Sequence, residues 1–336
     1  MRGKKKPNVF EMQVAPMLAR LTDQCPSHDY AYEVKWDGVR AVAFIGEDRL
    51  RLMSRNNLDI TVSYPELSGI ARQFPGRSAI LDGEIVALDE KALPDFERLQ
   101  HRMHVRGADA AFALARSIPV TYMVFDLLYL DGTSLLDERY LDRRERLFAL
   151  NLTGTCWSTP EHFIGDPERF IEVTKKMGIE GVMAKRFDSA YAPGKRSDAW
   201  LKFKHVLKQE FVIAGWQDGQ GARNGVPGAL LLGYYDSTLA EARRRNRPQR
   251  LVYCGKVGTG FSVRALDDIQ TRLRQYEIDA NPFEVDPPHE RYTHFARPEL
   301  VAEVQFGSWT STHILRHASF QGMRGDKAPA EVVREA

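Results

Sequence analysis

The stretch Glu33-Val34-Lys35-Trp36-Asp37-Gly38-Val39-Arg40 constrains the chain more than any other. Tyr32 and Val34 belong to an apolar, strand-like run, and a Trp-Asp-Gly turn follows Lys35 at once. Asp-Gly favours a tight turn because glycine accepts positive φ. Apolar alternation resumes at Val39, Ala41 and Ala43, so the stretch reads as strand, turn, strand. A lysine there is fixed between two strands, unlike one on a solvated helix face. An ordinary hairpin with an exposed lysine satisfies the same eight residues, and the rest of the chain must separate the two readings.

Strands follow closely at about 31–36, 39–45 and 49–54, the last ending in the polar cluster Ser54-Arg55-Asn56-Asn57. Tyr64, Leu67, Ile70 and Ala71 give residues 64–73 helical spacing, and residues 95–104 also read as helix. Residues 78–88 form a strand around Asp82-Gly83-Glu84, where an acidic residue is buried unless it lines a cleft. Residues 120–129 are a buried strand with Asp126 in its middle. Helices are expected at 141–150 and 167–177, the second stopped by Gly178. A short strand at 180–185 carries Glu180 and Lys185. In the strand at 199–205, Lys202 and Lys204 alternate with Leu201 and Phe203 and so face the same way.

The texture changes after about residue 206. Residues 210–216, 229–236 and 250–257 read as three antiparallel strands, and Ser262 caps a helix striped by Leu266, Ile269, Leu273 and Tyr276. An irregular Pro-rich stretch at 279–298 precedes a strand at 300–306, and a basic tail with Arg316, Arg324 and Lys327 follows. Three strands, a helix and further strand is the order of a small OB barrel. At 336 residues two domains are the default, and the division falls at 1–207 and 208–336. Residues 241–250 read as a basic hairpin tip, and Lys4-Lys5-Lys6 as a mobile basic arm.

Several classes are disfavoured. The net charge of +2 does not demand a nucleic-acid partner, so any basic surface must come from local clustering. Cys25, Cys156 and Cys254 are dispersed, which argues for a reducing compartment and against a zinc module. No apolar run approaches the roughly 18 residues of a membrane span. The basic N-terminus lacks the apolar segment of a secretory signal, so a cytoplasmic, membrane-free protein is expected.

The charged residues in the first domain are the informative ones. Lys35, Arg40, Arg55, Lys185, Lys202 and Lys204 accompany Glu84, Asp126 and Glu180, several of them in strands that otherwise read as core. A lone buried charge is costly, so one convergent cleft is more economical than many separate exceptions. Its cations suit a polyphosphate, and its carboxylates suit a divalent metal such as Mg²⁺. A neutral lysine is a strong nucleophile, and neighbouring cations or a metal would free the amine. The cluster therefore predicts nucleotidyl transfer through a lysine phosphoramidate.

The ordered motifs resemble those of the covalent nucleotidyltransferases, namely ATP-dependent DNA ligases and the related capping enzymes. The resemblance is carried by Lys35-Trp36-Asp37-Gly38, Ser54-Arg55-Asn56, Leu81-Asp82-Gly83-Glu84 and residues 124–132 (VFDLLYLDG). It continues through residues 180–185 (EGVMAK), 200–204 (WLKFK) and 324–327 (RGDK). Residues 233–236 (GYYD), 255–261 (GKVGTGF) and 315–327 (LRHASFQGMRGDK) make the chain most similar to the ligase module of bacterial LigD-type end-joining ligases.

The resemblance implies an α+β nucleotidyltransferase (adenylation) domain with antiparallel sheets, followed by a C-terminal OB-fold barrel. Lys35 would be the catalytic nucleophile that carries AMP. Glu33 and Val34 would lie near the adenine amino edge, and Phe125 and Met183 would sandwich the ring. Arg40, Arg55 and Glu84 would meet ribose, phosphate or metal, and Glu180 would be the main metal ligand beside Glu84. Lys202 and Lys204 would act catalytically on the α-phosphate, with Lys185 also in the nucleotide site. Arg324 and Lys327 would orient the leaving pyrophosphate. The resemblance further implies ATP, Mg²⁺ or Mn²⁺, nicked or broken duplex DNA, a monomer, a Ku-type end-binding partner and a bacterial, nucleoid-associated setting. The 34 residues before Lys35 are too few for the helical DNA-binding domain of large ligases. The four-cysteine zinc module of NAD-dependent ligases is absent, so ATP is expected rather than NAD. Two rivals remain: a GTP-using capping-type guanylyltransferase, and an inactive nick-binding module.

Overall fold

The computed structural model describes residues 7–219, 226–288 and 292–335. The basic arm expected at Lys4-Lys5-Lys6 lies outside the described residues. The chain separates into two units, Met1–His205 and Val206–Ala336.

The first unit begins with β1 (Leu18–Thr22), β2 (Tyr30–Val34), β3 (Val39–Gly46), β4 (Arg49–Ser54) and β5 (Ala79–Ala87). It continues with α1 (Phe96–Gln100), α2 (Ala108–Ser117), β6 (Val120–Leu130), β7 (Thr133–Ser134) and α3 (Tyr140–Ala149). It ends with β8 (Trp157–Ser158), α4 (Pro167–Lys176), β9 (Gly181–Arg186) and β10 (Arg196–Lys204). One sheet has the order β4-β3-β5-β6-β7, with β8 on β6, and a smaller one has β1-β10-β9-β2. The main pairings are antiparallel, as expected, but β1 runs parallel to β10 and β8 parallel to β6. Ala41, Ala43, Ile45, Leu81, Ile85 and Val124 pack the larger sheet against Leu67, Ile70 and Phe74. Trp200, Phe125, Val42 and Tyr191 close the opposite side.

The two strands flanking residue 35 are present, but they belong to different sheets and are joined by irregular residues 35–37 and a bend at Gly38 rather than by a tight turn, and Gly38 is there for another reason than positive φ. A β-carbon on Gly38 would lie 2.3 Å from the Ile85 carbonyl oxygen and 2.9 Å from Glu84 Cγ. Steric closeness to β5, rather than turn handedness, demands the glycine. Residues 65–73 are a 3₁₀ helix and not an α-helix. Tyr64, Leu67 and Ile70 recur every third residue, which is the period of three residues per turn. The helix expected over 95–104 is confined to α1, which Asp95 caps by accepting from Arg98 N.

The second unit contains β11 (Leu207–Asp218), β12 (Pro227–Tyr235), α5 (Leu239–Arg244), β13 (Leu251–Val257) and α6 (Val263–Gln275). β14 (Glu277–Ile278), β15 (Thr293–Phe306), β16 (Ser308–Trp309), β17 (Leu315–Arg316) and β18 (Ser319–Arg324) follow. The order β13-β12-β11-β15-β14, with β18 on β15, is antiparallel throughout. Five long strands with α6 after the third give the OB order, around a core of Phe211, Ile213, Leu232, Ile269 and Val304. Ser262 caps α6 by accepting from Ala265 N. The basic hairpin tip is instead α5, begun by a capping box in which Thr238 and Glu241 bond reciprocally. The irregular stretch ends earlier than expected, because β15 already starts at Thr293. The basic tail is largely β18, held in register with Val301–Gln305.

Candidate active site

Register in the smaller sheet assembles the site. Glu33 on β2 lies opposite Met183 on β9, and Met183 lies opposite Lys202 on β10. Two rows on, Lys35 N donates to Gly181 O (3.0 Å) and Gly181 lies opposite Lys204. Gly181 has no room for a side chain, since a β-carbon would meet Phe203 O at 2.1 Å. The backbone at Glu180 is tied by His205 N donating to its carbonyl (3.0 Å). Glu180 thus reaches both lysines. Its carboxylate contacts Lys35 Nζ, and its Oε1 accepts from Lys204 Nζ at 2.8 Å. It is mostly buried, yet its pKa is held below the usual range: burial pushes it up, but Lys35 and Lys204 outweigh that.

A cleft of about 750 Å³ opens beside this cluster. Glu33, Val34, Lys35, Arg40, Arg55, Glu84, Phe125, Met183, Lys185 and Lys202 all line it. Burial, then the charges of Lys35, Lys204, Arg196 and Arg55, lower the pKa of Lys202. Lys204 meets the cluster through Glu180. Arg324 and Lys327 belong to the second unit. There Arg324 grips Asp326 with two bonds of 2.8 Å and reaches Glu210 (2.7 Å) and Glu303 (3.1 Å), while Lys327 Nζ is 3.0 Å from Glu210. They are paired side chains rather than a solvated tail.

Arg40 and Lys185 line the cleft but are already paired within the protein, and Asp126 does not line it. Arg40 pairs with the fully buried Asp82 through two 2.6 Å bonds, and Tyr191 donates to the same carboxylate. Its guanidinium lies 4.6 Å from the Phe125 ring centroid. Asp126 faces α3, where Arg143 binds it through bonds of 2.8 and 2.9 Å. Lys185 is buried, 2.6 Å from Glu33, with its Nζ over the rings of Phe125 (4.1 Å) and Trp200 (4.3 Å). Tyr140, Arg143, Arg144 and Tyr191 escaped the sequence reading, and Asp82 and Trp200 entered it only as members of the strand motifs.

Glu84 differs from its neighbours. Burial pushes its carboxyl up from an ordinary 4.5 to about 7, with Arg40 and Lys35 opposing and Asp82 and Asp37 adding to the rise. A folded-state pKa above the unfolded one gives stability that is complete below about pH 4.5 and lost as pH climbs through about 7. Relative to Glu84→Gln, wild-type protein in chelator should lose up to about 3 kcal/mol between pH 5 and pH 8. Melting curves of both proteins across that range check this, and parallel curves would refute it.

Glu84 and Glu180 both feel Lys35, which suits a divalent cation that takes one or two carboxylates together with phosphate oxygens. Among the described residues, no three His, Cys, Asp or Glu side chains form an all-protein metal cage. No described helix is long and apolar enough to cross a membrane.

Residues 15–204 match the ATP dependent DNA ligase domain, and residues 223–327 match the ATP dependent DNA ligase C terminal region. The multifunctional non-homologous end joining DNA repair protein LigD of Mycobacterium tuberculosis is 38% identical over 340 residues, covering 100% of this chain and 42% of that protein. The LigD of Pseudomonas aeruginosa is 37% identical over 328 residues, covering 96% of this chain and 36% of its own length. The chain thus spans well under half of these relatives. The crystal structure of the ligase domain from M. tuberculosis LigD superposes with a TM-score of 0.53 at 38% identity, covering 96% of this chain and 98% of that one. A mycobacterial DNA ligase D complexed with ATP and MES gives 0.54 at the same identity and coverage.

Proposed function

The chain belongs to the ATP-dependent DNA ligase family, and on that premise we propose that it seals nicked or broken duplex DNA with ATP, by way of an AMP carried on Lys35. The observation that carries this reading is the Lys35–Glu180–Lys204 cluster at the wall of a nucleotide-sized cleft.

Lys35 Nζ gives up its ammonium proton and attacks the α-phosphorus. An N–P bond forms, the P–O bond to pyrophosphate breaks, a second proton leaves nitrogen for solvent, and the negative charge departs with the pyrophosphate. A DNA 5′-phosphate oxygen then takes the phosphorus from nitrogen, which takes up a proton from solvent as the amine is restored. Finally the neighbouring 3′-hydroxyl oxygen attacks the activated 5′-phosphorus, its proton passes to solvent, and AMP is released. Glu180 holds Nζ in place before the first step, and Lys202 and Lys204 stabilise the charge gathering on the α-phosphate. Glu33, Val34, Phe125 and Met183 supply the walls for the base. Arg40 and Lys185 back Phe125, and Arg55 lies on the phosphate side. Arg324 and Lys327 are assigned to the departing pyrophosphate, which requires them to exchange their carboxylate partners. Glu84 and Glu180 would hold Mg²⁺ or Mn²⁺, which adds charge neutralisation on phosphate oxygens.

We further assign the protein to end joining in the bacterial cytoplasm, as a monomer with a Ku-type end-binding partner. Support for the end-joining part comes from the identity to non-homologous end joining LigD proteins. The deciding experiment offers a nicked duplex and a blunt duplex in turn with ATP, GTP and NAD, each with and without a Ku-type protein. Sealing of the nick is expected with ATP alone, and joining of blunt ends only when the partner is added. Label from GTP without sealing would favour a capping enzyme. A nick-bound complex with neither adduct nor sealing would favour an inactive binder.

A further inference from the structure

Glu33 is 5% exposed, and its surroundings go beyond neutralising one charge. Lys185 Nζ stands 2.6 Å from Oε2 and already balances it. From the other side α3 presents Tyr140 and Arg144, four residues apart and so on one helix face. The Tyr140 hydroxyl donates to Oε1, and Arg144 Nε stands 3.7 Å from the same oxygen. A carboxylate only accepts, so the tyrosine hydroxyl is fixed as the donor. Tyr140 and Lys185 thus hold one carboxylate oxygen each, and Glu33 also lines the cleft.

Arg144 is fully buried, and only its Nη2 has a hydrogen-bond partner, the Pro160 carbonyl. Its Nε and Nη1 have none, and neither does Nδ1 of the nearby His162. Leaving buried donors unpartnered costs stability. Arg144 thus brings a second positive charge to Glu33 without a direct hydrogen bond to it.

We propose that Tyr140 and Arg144 are positioning residues for nucleobase selection: they hold the Glu33 carboxylate as a fixed acceptor at the cleft wall, so the site takes a base bearing an exocyclic amine. A base with oxygen at that position meets a carboxylate that has no proton to give, and is turned away by repulsion. The assignment rests on reading the cleft as the nucleotide site. It adds to that reading a helix which does not itself line the cleft.

The test compares labelling of Lys35 by ATP, by GTP and by purine riboside triphosphate, which carries hydrogen in place of the amine. Wild-type protein should prefer ATP to the purine analogue by about 10- to 100-fold in kcat/KM, as expected for a hydrogen bond to a charged group. Tyr140→Phe keeps the ring and removes only the hydroxyl, so it should fold. In it, and in Arg144→Met, the preference should shrink to about threefold while discrimination against GTP weakens, and Arg144→Lys should retain most of both. Equal losses with all three nucleotides would mean that α3 is merely structural, and the assignment would fall. No adduct with ATP in wild-type protein would overturn the functional reading beneath it. A normal ATP adduct with unchanged preferences in Tyr140→Phe would overturn the α3 assignment alone.

Discussion

Lys35→Ala is expected to abolish transfer of labelled AMP from ATP to the protein, by about 10⁴-fold or more, as for loss of a covalent nucleophile. The lysine is anchored on both sides. Its backbone N–H is bonded to β9, and its side chain meets a carboxylate that Lys204 also holds. Removing Nζ leaves Glu180 paired with Lys204, so the fold should survive, as circular dichroism would verify. The nearby amine of Lys202 also lines the cleft and is the obvious substitute nucleophile. It lies two strand-rows away from Lys35, opposite Met183, whereas in-line attack tolerates little displacement. The variant should still close a nick that is chemically pre-adenylated, within roughly tenfold of wild type, because the last step uses no nitrogen nucleophile. That contrast separates a lost nucleophile from a broken site. Undiminished labelling of Lys35→Ala would refute the nucleophile assignment.

The sequence made the cluster around Lys35 legible because strands have a period of two. Alternation alone put Lys202 and Lys204 on one face of β10, and the structure sets Lys202 in the row of Glu33 and Met183 and Lys204 in the row of Gly181, which Lys35 joins. It was less informative about which charges belong to the cleft. Asp126 was grouped with Glu84 and Glu180, but its partner Arg143 comes from α3, just as Arg40 on β3 takes Asp82, and pairing across 17 and 42 residues leaves no local pattern. The same limit hid Tyr140 and Arg144. The expected helix at 141–150 left Tyr140 outside it, and nothing in the spacing of a tyrosine and an arginine four apart says that both are buried. Only the docking of α3 on β6 turns them inward. The OB order was readable from strand and turn spacing. Two local misreadings had signals that could have corrected them: the Thr238–Glu241 spacing of a capping box, and the three-residue period of Tyr64, Leu67 and Ile70.

Arg143→Met is expected to destabilise the first unit by about 3–5 kcal/mol, the cost of leaving a buried charge without its partner. Arg143 and Asp126 are both fully buried, and their two bonds join α3 to the middle of β6. Arg143 Nη1 also donates to Glu138 O and Ser189 O (3.0 Å), so its loss orphans two carbonyls as well as the carboxylate. For a unit of this size the melting temperature should fall by roughly 10 °C. The transition has to be followed with a probe in the first unit, since two units need not unfold together. The double variant Asp126→Leu with Arg143→Met should recover part of the loss, because it removes the unpaired charge along with its partner. A single variant that costs less than about 1 kcal/mol would show that α3 is held by its apolar contacts alone. The consequence reaches the site, because Asp126 follows Phe125 directly and α3 also carries Tyr140 and Arg144. If the pair fixes α3 on β6, then at a temperature where Arg143→Met is still folded its KM for ATP should rise more than its kcat falls. A loosened base wall weakens binding of the nucleotide before it disturbs a nucleophile anchored on the other sheet.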